Sequence, residues 1–221
     1  MIPLQLPCNI LIVAPTSMGK TYLLNNTILP QIKSQYDILV IFSPTMELSG
    51  DFNHITDNNK TIFKITTGLK GALEELIDSQ TSMFKSVQLG IIDKSQIPRI
   101  CVVLDDCITD KSLFNFKGIL DGFATKNRHY QISFIVLSQR LSAIPRTMRL
   151  NSKYIIMFSS WNVGETEQFL RQYVSKSKQK NFLKQVEEVF KQKYAYILFD
   201  NSQHDINKRI LINGSEVLKI N

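Results

Sequence analysis

The most restrictive feature of this chain is a short loop that joins an apolar, strand-like run to a helical pattern. The run is Ile10-Leu11-Ile12-Val13, and the helical pattern begins at Tyr22-Leu23-Leu24. In such a loop, backbone N–H groups ahead of a helix N-terminus bind phosphate, a lysine reaches the β- and γ-phosphates, and the next hydroxyl binds Mg²⁺. The pattern therefore predicts a nucleotide site, with Thr21 on Mg²⁺ and with phosphate contacts from Pro15, Thr16, Ser17, Met18, Gly19, Lys20 and Thr21.

This phosphate-binding loop departs from the usual pattern at its first position. Ala14 stands where glycine is typical, and Pro15 follows it. Because the proline ring holds φ near about −65°, we expect a stiffer loop that still binds phosphate.

Two adjacent carboxylates follow a second apolar run. Residues 100–104 are Ile-Cys-Val-Val-Leu, and Asp105 and Asp106 come directly after them. A strand that ends in paired acids beside a phosphate-binding loop is typical of a Walker B element, in which the first acid binds the Mg²⁺ shell and the second orients or deprotonates the attacking water. The sequence predicts these roles for Asp105 and Asp106, although glutamate is commoner in the second position.

A third apolar run, 132–137, ends in Ser138-Gln139. Because the carboxyl ends of parallel strands gather at one edge of a sheet, Gln139 is predicted to sense the γ-phosphate or to hold the water. Arg128 precedes the same strand and should lie at its other end, too far from its own phosphate loop to act there. It is predicted to reach the nucleotide of a neighbouring subunit as an arginine finger. Arg140, Arg146 and Arg149 are alternative candidates for the finger or for DNA contacts.

The distribution of apolar runs predicts an α/β fold. Continuous Ile/Val/Leu runs indicate strands buried on both faces, and the helical patterns between them supply the crossovers of a doubly wound, mostly parallel sheet. The last two strands are predicted to form an antiparallel hairpin without an intervening helix. We expect one domain over residues 1–221, since two domains would each have a thin core. The predicted strands are 9–14, 37–43, 61–66, 99–105, 132–138, 154–160, 194–200 and 208–213, and the predicted helices are 20–29, 70–79, 112–125, 163–174 and 178–193.

The charge distribution indicates a polyanionic partner. The formal net charge is +7, and residues 122–164 contain no Asp or Glu. Such a concentration of positive charge is typical of nucleic-acid binding. The basic residues in and just after this block are Lys126, Arg128, Arg140, Arg146, Arg149, Lys153, Arg171, Lys176, Lys178, Lys180 and Lys184.

The remaining composition predicts a protein that has no membrane span and stays in the compartment where it is made. No apolar run approaches the ~20 residues of a spanning helix, and the first residues lack the basic region of a signal peptide. The three cysteines are too few and too scattered for a disulfide framework or a zinc site. The aromatic residues Phe158, Trp161 and Phe169 are interpreted as core residues rather than partner contacts.

With these strand ends in view, the chain resembles the FtsK/HerA superfamily of DNA-pumping ATPases, a P-loop NTPase group of RecA/ASCE-like fold. Within that superfamily it is similar to the genome-packaging ATPases of large DNA viruses and virophages. The resemblance extends from Ile10 to about Phe169, and its most specific parts are Pro15–Thr21, Val102–Cys107 and Asn127–Arg140.

This resemblance implies an ATP- and Mg²⁺-dependent motor that drives double-stranded DNA, without sequence preference, into a preformed capsid. It implies Lys20 and Thr21 on phosphate and Mg²⁺, Asp105 on Mg²⁺, Asp106 as the catalytic carboxylate, Gln139 as the sensor and Arg128 as the finger acting in trans. The expected partners are DNA, a capsid protein and further copies of the chain in a ring of five or six. The expected location is the cytoplasm of the infected cell, with association with the virion as a further expectation.

Three other functions share parts of this pattern. A replicative or strand-transfer helicase has the same core but separates the strands of a duplex. A small-molecule P-loop kinase has a similar length, although Gln139 and the paired acids suit water activation better. A nucleotide-gated assembly protein would hydrolyse ATP slowly and without stimulation by DNA.

Overall fold

The computed structural model describes residues 4–107, 111–114, 118–159 and 163–218. Nine strands and ten α-helical segments lie in this part of the chain. The strands are β1 (Asn9–Val13), β2 (Ile38–Phe42), β3 (Thr61–Ile65), β4 (Ile100–Asp105), β5 (Ile132–Ser138), β6 (Ser152–Phe158), β7 (Tyr196–Asp200), β8 (Ile210–Ile212) and β9 (Glu216–Val217). The helices are α1 (Lys20–Leu23), α2 (Leu29–Ile32), α3 (Met46–Ser49), α4 (Leu69–Gln88), α5 (Lys111–Phe114), α6 (Ile119–Phe123), α7 (Arg146–Leu150), α8 (Val163–Tyr173), α9 (Lys176–Phe190) and α10 (Ile206–Arg209).

The strands form one sheet in the order β3-β2-β4-β5-β1-β6-β7-β8-β9. The six strands from β3 to β6 are parallel, and β7, β8 and β9 each pair antiparallel with the preceding strand. The doubly wound, mostly parallel α/β fold with a C-terminal antiparallel hairpin is therefore confirmed. The phosphate-binding loop follows β1, which lies between β5 and β6 near the middle of the sheet.

Both faces of the central strands are buried, which explains their continuous apolar runs. Along β4, Val102 and Leu104 pack in the core on one face, whereas Cys101 and Val103 pack in the core on the other. Helices cover both faces, so side chains of alternating direction all find apolar neighbours. Cys8, Cys101 and Cys107 are buried, and none of them forms a disulfide bond.

The helical segment after the phosphate-binding loop is interrupted rather than continuous. A π-helical turn, Leu24–Ile28, separates α1 from α2, and Pro30 stands in the first turn of α2. A proline lacks the N–H of a regular helix and its ring clashes with the carbonyl four residues earlier. The wider π-helical turn relieves this conflict, since its hydrogen bonds span five residues.

Three local expectations are corrected. Helix α4 runs from 69 to 88 rather than 70 to 79, because its amphipathic pattern continues past the polar residues near 79. A short helix, α10, lies between β7 and β8, where none was expected, and β9 extends the sheet beyond the predicted hairpin. The predicted helix 112–125 is described as α5 and α6, and residues 115–117 between them lie outside the described residues. Phe158 and Phe169 are buried core residues, as predicted, whereas Trp161 lies outside the described residues.

Candidate functional site

The carboxyl ends of β1 and β4 open onto one cleft of about 910 Å³. Its lining includes Lys20 and Thr21 from the start of α1, and Asp105 and Asp106 from the end of β4. The sequence predicted these residues to lie together, and the sheet brings them together because β1 and β4 are parallel and separated only by β5. The remaining lining residues are Thr16, Ser17, Gly19, Tyr22, Leu23, Thr27, Asp51, Phe158, Tyr194 and Tyr196.

Two residues of the phosphate-binding loop have left-handed backbone conformations just before α1. Ser17 and Gly19 have φ values of 62° and 91°, in the left-handed region. A methyl group on Gly19 would meet no atom closer than 3.8 Å, so the backbone angle rather than space requires glycine here. Pro15 and Met18 of the predicted set contribute differently, since the Pro15 carbonyl accepts a hydrogen bond from Lys20 and Met18 packs against the core.

Lys20 is buried, with 8% of its surface exposed, and its ammonium group lies against the loop. Its Nζ donates hydrogen bonds to the carbonyl oxygens of Ala14 at 2.8 Å and Pro15 at 3.1 Å. Burial lowers the pKa of Lys20, and the charges of Asp106 and Asp105 oppose that shift. A cation held this way is oriented by backbone carbonyls at the mouth of a phosphate site.

Asp105 is the most perturbed acid of the cleft. It is 5% exposed, and burial, together with the neighbouring charge of Asp106, raises its pKa to about 6, against opposing effects of Lys20 and Ser43. Ser43, which follows β2 and is fully buried, has its hydroxyl 3.4 Å from Asp105 Oδ2 and in position to donate. Sequence reasoning missed Ser43, although its place directly after an apolar run is the signal that identified Asp105 and Gln139.

The donor set fits Mg²⁺. Asp105 and Asp106 line the cleft together with Lys20, and the pKa of Asp105 is raised first by burial and then by the charge of Asp106. Carboxylate and hydroxyl oxygens are the ligands that Mg²⁺ prefers in proteins. Asp105 and Thr21 would hold the ion, which would supply positive charge to the phosphate oxygens.

Gln139 reaches the second acid. Its Nε2 lies 3.5 Å from Asp106 Oδ1, the limit for a hydrogen bond, and Gln139 is exposed. Asp106 has a φ of 49°, a left-handed conformation that aspartate tolerates better than most residues. The turn after β4 thus brings the carboxylate of Asp106 toward the turn after β5.

The turn that carries Gln139, residues 139–142, is fixed by buried polar groups. The Ser138 hydroxyl donates to the Arg140 carbonyl at 2.6 Å and accepts from the Arg140 N–H at 3.0 Å. Glu165 of α8 accepts hydrogen bonds from the Leu141 N–H at 2.7 Å and from the Ser142 hydroxyl at 2.9 Å. Sequence reasoning missed Glu165, because nothing in its local pattern links it to a turn that lies 23 residues earlier.

Arg128 does not join this cleft. It is exposed at the amino end of β5 and lines a second cleft of about 440 Å³ on the opposite edge of the sheet, with Lys94, Arg99 and His129. This location agrees with the expectation that Arg128 cannot act on its own nucleotide. Arg99 in the same cleft is paired with Asp37, at 2.7 Å between Arg99 Nη2 and Asp37 Oδ1.

The turn that carries Arg128 is tied to the strand of the phosphate-binding loop. Asn127 is fully buried, and its Nδ2 donates to Asn9 Oδ1 at 2.9 Å and to the Ile132 carbonyl at 2.8 Å. The Asn9 amide donates in turn to the Ala124 carbonyl at 3.0 Å. Asn9 is the first residue of β1, so one buried side-chain pair joins the two segments.

The other arginines of the acid-free block differ in their surroundings. Arg149 is engaged within the fold, since it donates to the Ile144 carbonyl at 3.1 Å and to Gln172 Oε1 at 2.8 Å. Arg140 and Arg146 are exposed. Arg149 is therefore a weaker candidate for a finger or a DNA contact than Arg128, Arg140 or Arg146.

Within the described residues, no helix has the length and apolar character that a bilayer crossing needs.

Comparisons with known proteins agree with this architecture. A family model described as Poxvirus A32 protein matches residues 4–217. The uncharacterized protein B354L of African swine fever virus, isolate Tick/Malawi/Lil 20-1/1983, is 30% identical over 152 residues, which cover 64% of this chain and 42% of that protein. The chain thus spans about two fifths of the length of the curated relatives it matches.

Solved structures share the fold at low sequence identity. The genome packaging NTPase B204 from Sulfolobus turreted icosahedral virus 2, in complex with ATP-gammaS, superposes with a TM-score of 0.64 and 16% identity over 96% of this chain and 98% of that chain. The DNA-packaging ATPase B204 from Sulfolobus turreted icosahedral virus gives a TM-score of 0.66 and 17% identity over 93% and 96%. The pCW3 conjugation coupling protein TcpA gives 0.63 and 14% over 96% and 59%.

Proposed function

The chain belongs to the Poxvirus A32 protein family, and on that premise we propose that it is an ATP hydrolase that moves double-stranded DNA into a viral capsid. The observation that carries the proposal is the convergence of Lys20, Asp105–Asp106 and Gln139 at one edge of the sheet. The fold shared with proteins named as genome-packaging ATPases supports the choice of DNA packaging among the reactions that such a site can perform.

Each of the predicted site residues at this edge of the sheet has a role that its surroundings support. Lys20 and the backbone N–H groups of the loop bind and orient the phosphates, and Thr21 and Asp105 would hold the metal ion. Asp106 accepts a proton from the attacking water, and Gln139, next to Asp106, orients that water. The buried Ser43 hydroxyl holds the Asp105 carboxylate, and the Glu165 carboxylate holds the turn that carries Gln139.

The first test measures steady-state ATP hydrolysis with and without long double-stranded DNA. Purified protein should hydrolyse ATP faster when duplex DNA is present, and Lys20→Ala should reduce turnover to the blank under both conditions. Hydrolysis that is indifferent to DNA would contradict packaging and favour a kinase or a nucleotide-gated assembly protein. Strand separation of a labelled duplex would favour a helicase.

The DNA contacts are proposed to include a row of lysines on α9. Lys176, Lys180 and Lys184 are exposed and recur every four residues, so they lie along one face of the helix. Contacts to phosphates carry no sequence information, which suits a motor that must pass over any sequence. Each lost phosphate contact should reduce the slope of log K against log[salt] by about 0.9.

A triple variant tests this row. Replacing Lys176, Lys180 and Lys184 by glutamine should weaken duplex binding and flatten its salt dependence. Lys70→Gln is the matched control, because Lys70 is an exposed helical lysine on α4. Helix α4 precedes the segment without acidic residues, 122–164, in the sequence. Equal salt slopes for the triple variant and wild type would remove α9 from the DNA interface.

Self-association into a ring is proposed because the arginine of the motif lies away from its own cleft. Arg128 and Lys94 make the opposite edge of the sheet basic, which suits the phosphates of a neighbouring subunit's nucleotide. Arg128 would then stabilise charge that develops in the neighbour's reaction. The same proposal includes a ring of five or six subunits and a capsid protein that receives the DNA. It also includes the cytoplasm of the infected cell as the location, and association with the virion.

Mixed subunits test the action in trans. Lys20→Ala subunits keep the finger, and Arg128→Ala subunits keep the nucleotide site, so mixing two inactive proteins should restore hydrolysis at mixed interfaces. Arg171→Ala, which removes an exposed arginine from α8, is the control for the loss of one surface charge. Absence of rescue, with both variants folded, would contradict the proposed role of Arg128.

A further inference from the structure

The order of the strands gives the cleft a direction. The acids and Gln139 follow β4 and β5, which lie on one side of β1, whereas β6 and β7 lie on its other side. Metal binding and water activation act at the terminal phosphates, so those phosphates belong on the side of β4 and β5. The nucleoside end of a bound nucleotide must then point toward the ends of β6 and β7.

That end of the cleft is aromatic. Phe158 ends β6 and Tyr196 begins β7, and their ring centroids are 5.2 Å apart. Both are buried, but Tyr194, which precedes β7, is 50% exposed and lines the cleft. Tyr194 Cδ1 lies 3.8 Å from the position that a Cβ on Gly19 would occupy, so its ring edge lies beside the phosphate-binding loop.

Tyr194 also has an unfavourable backbone conformation. Its φ is 65°, in the left-handed region, which costs a residue with a side chain about 1–2 kcal/mol. Asparagine or glycine would avoid most of this cost. Such outliers concentrate at functional sites, and the half-exposed ring of Tyr194 gains little from burial that would offset the strain.

Neighbouring residues hold the Tyr194 ring in place. Lys193 Nζ lies 4.8 Å from the centroid of the Tyr194 ring, and the Ala195 N–H donates to the Gln192 carbonyl across the turn at 3.2 Å. Tyr196 is anchored by its N–H, which donates to Asn213 Oδ1 at 3.1 Å. The turn thus presents an aromatic ring, between a cation and the cleft, at the nucleoside end.

We propose that Tyr194 is the platform on which the base of the bound nucleotide stacks. This inference depends on the proposed nucleotide binding and adds the recognition of the base. Every base offers a π-face, so stacking on Tyr194 tolerates different bases. The site therefore takes nucleoside triphosphates as a class, with adenine and guanine nucleotides bound within a few-fold of one another.

Calorimetric titration with three Mg²⁺-loaded probes tests the proposal: a non-hydrolysable ATP analogue, the corresponding GTP analogue and inorganic tripolyphosphate. Tyr194→Asn removes the ring but keeps a residue that tolerates the left-handed backbone, and Tyr194→Phe keeps the ring. Phe63→Thr is the matched control, because Phe63 is an aromatic residue with 51% exposure on the edge strand β3, away from the cleft.

Tyr194→Asn should weaken both nucleotide analogues about tenfold or more and leave tripolyphosphate binding unchanged. Tyr194→Phe and Phe63→Thr should bind all three probes like wild type. Equal ATP-analogue affinity for Tyr194→Asn and wild type would overturn the inference while nucleotide binding stands. So would a loss confined to Tyr22→Ala, the other exposed tyrosine of the cleft. Failure of wild type to bind any probe would instead contradict the proposed function.

Discussion

The Glu165 carboxylate offers a direct test of how the turn at 139–142 is held. Glu165 is 8% exposed and accepts two hydrogen bonds, from the Leu141 N–H and the Ser142 hydroxyl. Hydrogen bonds to a charged acceptor contribute about 1.5–3 kcal/mol each. Glu165→Gln removes the charge and one acceptor oxygen, so we expect the free energy of unfolding to fall by about 1.5–3 kcal/mol.

For a chain of this size, 1 kcal/mol corresponds to about 2–4 °C in Tm, and Glu165→Gln should therefore lower Tm by about 3–12 °C. Glu167→Gln is the control on the same helix. Glu167 pairs with Arg171 at 3.3 Å, with side-chain exposures of 46% and 74%, and such surface pairs contribute about 0.3–0.5 kcal/mol. Urea and thermal unfolding of the two variants provide the comparison. If their unfolding free energies agree within about 0.5 kcal/mol, Glu165 does not hold the turn.

Two further changes follow from backbone geometry and charge. Gly19→Ala should lower the free energy of unfolding by about 1–2 kcal/mol, because Gly19 has a φ of 91°. Gly122→Ala should raise the free energy of unfolding, because Gly122 lies in α6 and a Cβ there would meet nothing within 4 Å. Urea unfolding of both variants checks these opposite signs. The Arg99 guanidinium lowers the pKa of Asp37 to about 2, so the pair stabilises the fold above about pH 4 and that stability is lost as the pH falls through about 2. Asp37→Asn should thus lower the free energy of unfolding by less than about 1 kcal/mol at pH 7, because both side chains are nearly half exposed. The difference between the variant and wild type should shrink between about pH 4 and pH 2. A difference that is constant with pH would contradict the role of this ion pair.

The main elements of the fold could be predicted from the sequence because its parallel strands are buried on both faces. Continuous apolar runs identified β1, β4 and β5, and the polar residues at their ends indicated one shared edge. Parallel strands require crossovers, so the helical patterns between the runs followed. Helix α10 was not predicted, because it is only four residues long and differs from an irregular polar connection only in its local hydrogen bonds.

The candidate site was predictable where a motif is contiguous in sequence. The loop that contains Lys20 and the acids after β4 each combine an apolar run with the reacting residue. Ser43, Glu165 and Tyr194 were missed for different reasons. Ser43 carries no charge that would draw attention, Glu165 acts on a turn distant in sequence, and the role of Tyr194 depends on a left-handed turn that lacks the glycine typical of one.

The pairing of Asn9 with Asn127 has a mechanical consequence. Strand β1 has five buried residues and is about 17 Å long. The phosphate-binding loop follows its carboxyl end, and Asn127, directly before Arg128, is hydrogen-bonded to Asn9 at its amino end. A close-packed interior transmits displacement instead of absorbing it. In the proposed ring, a shift of β1 on nucleotide release would also move Arg128 relative to the neighbouring subunit, so the order of hydrolysis would pass around the ring without a separate relay.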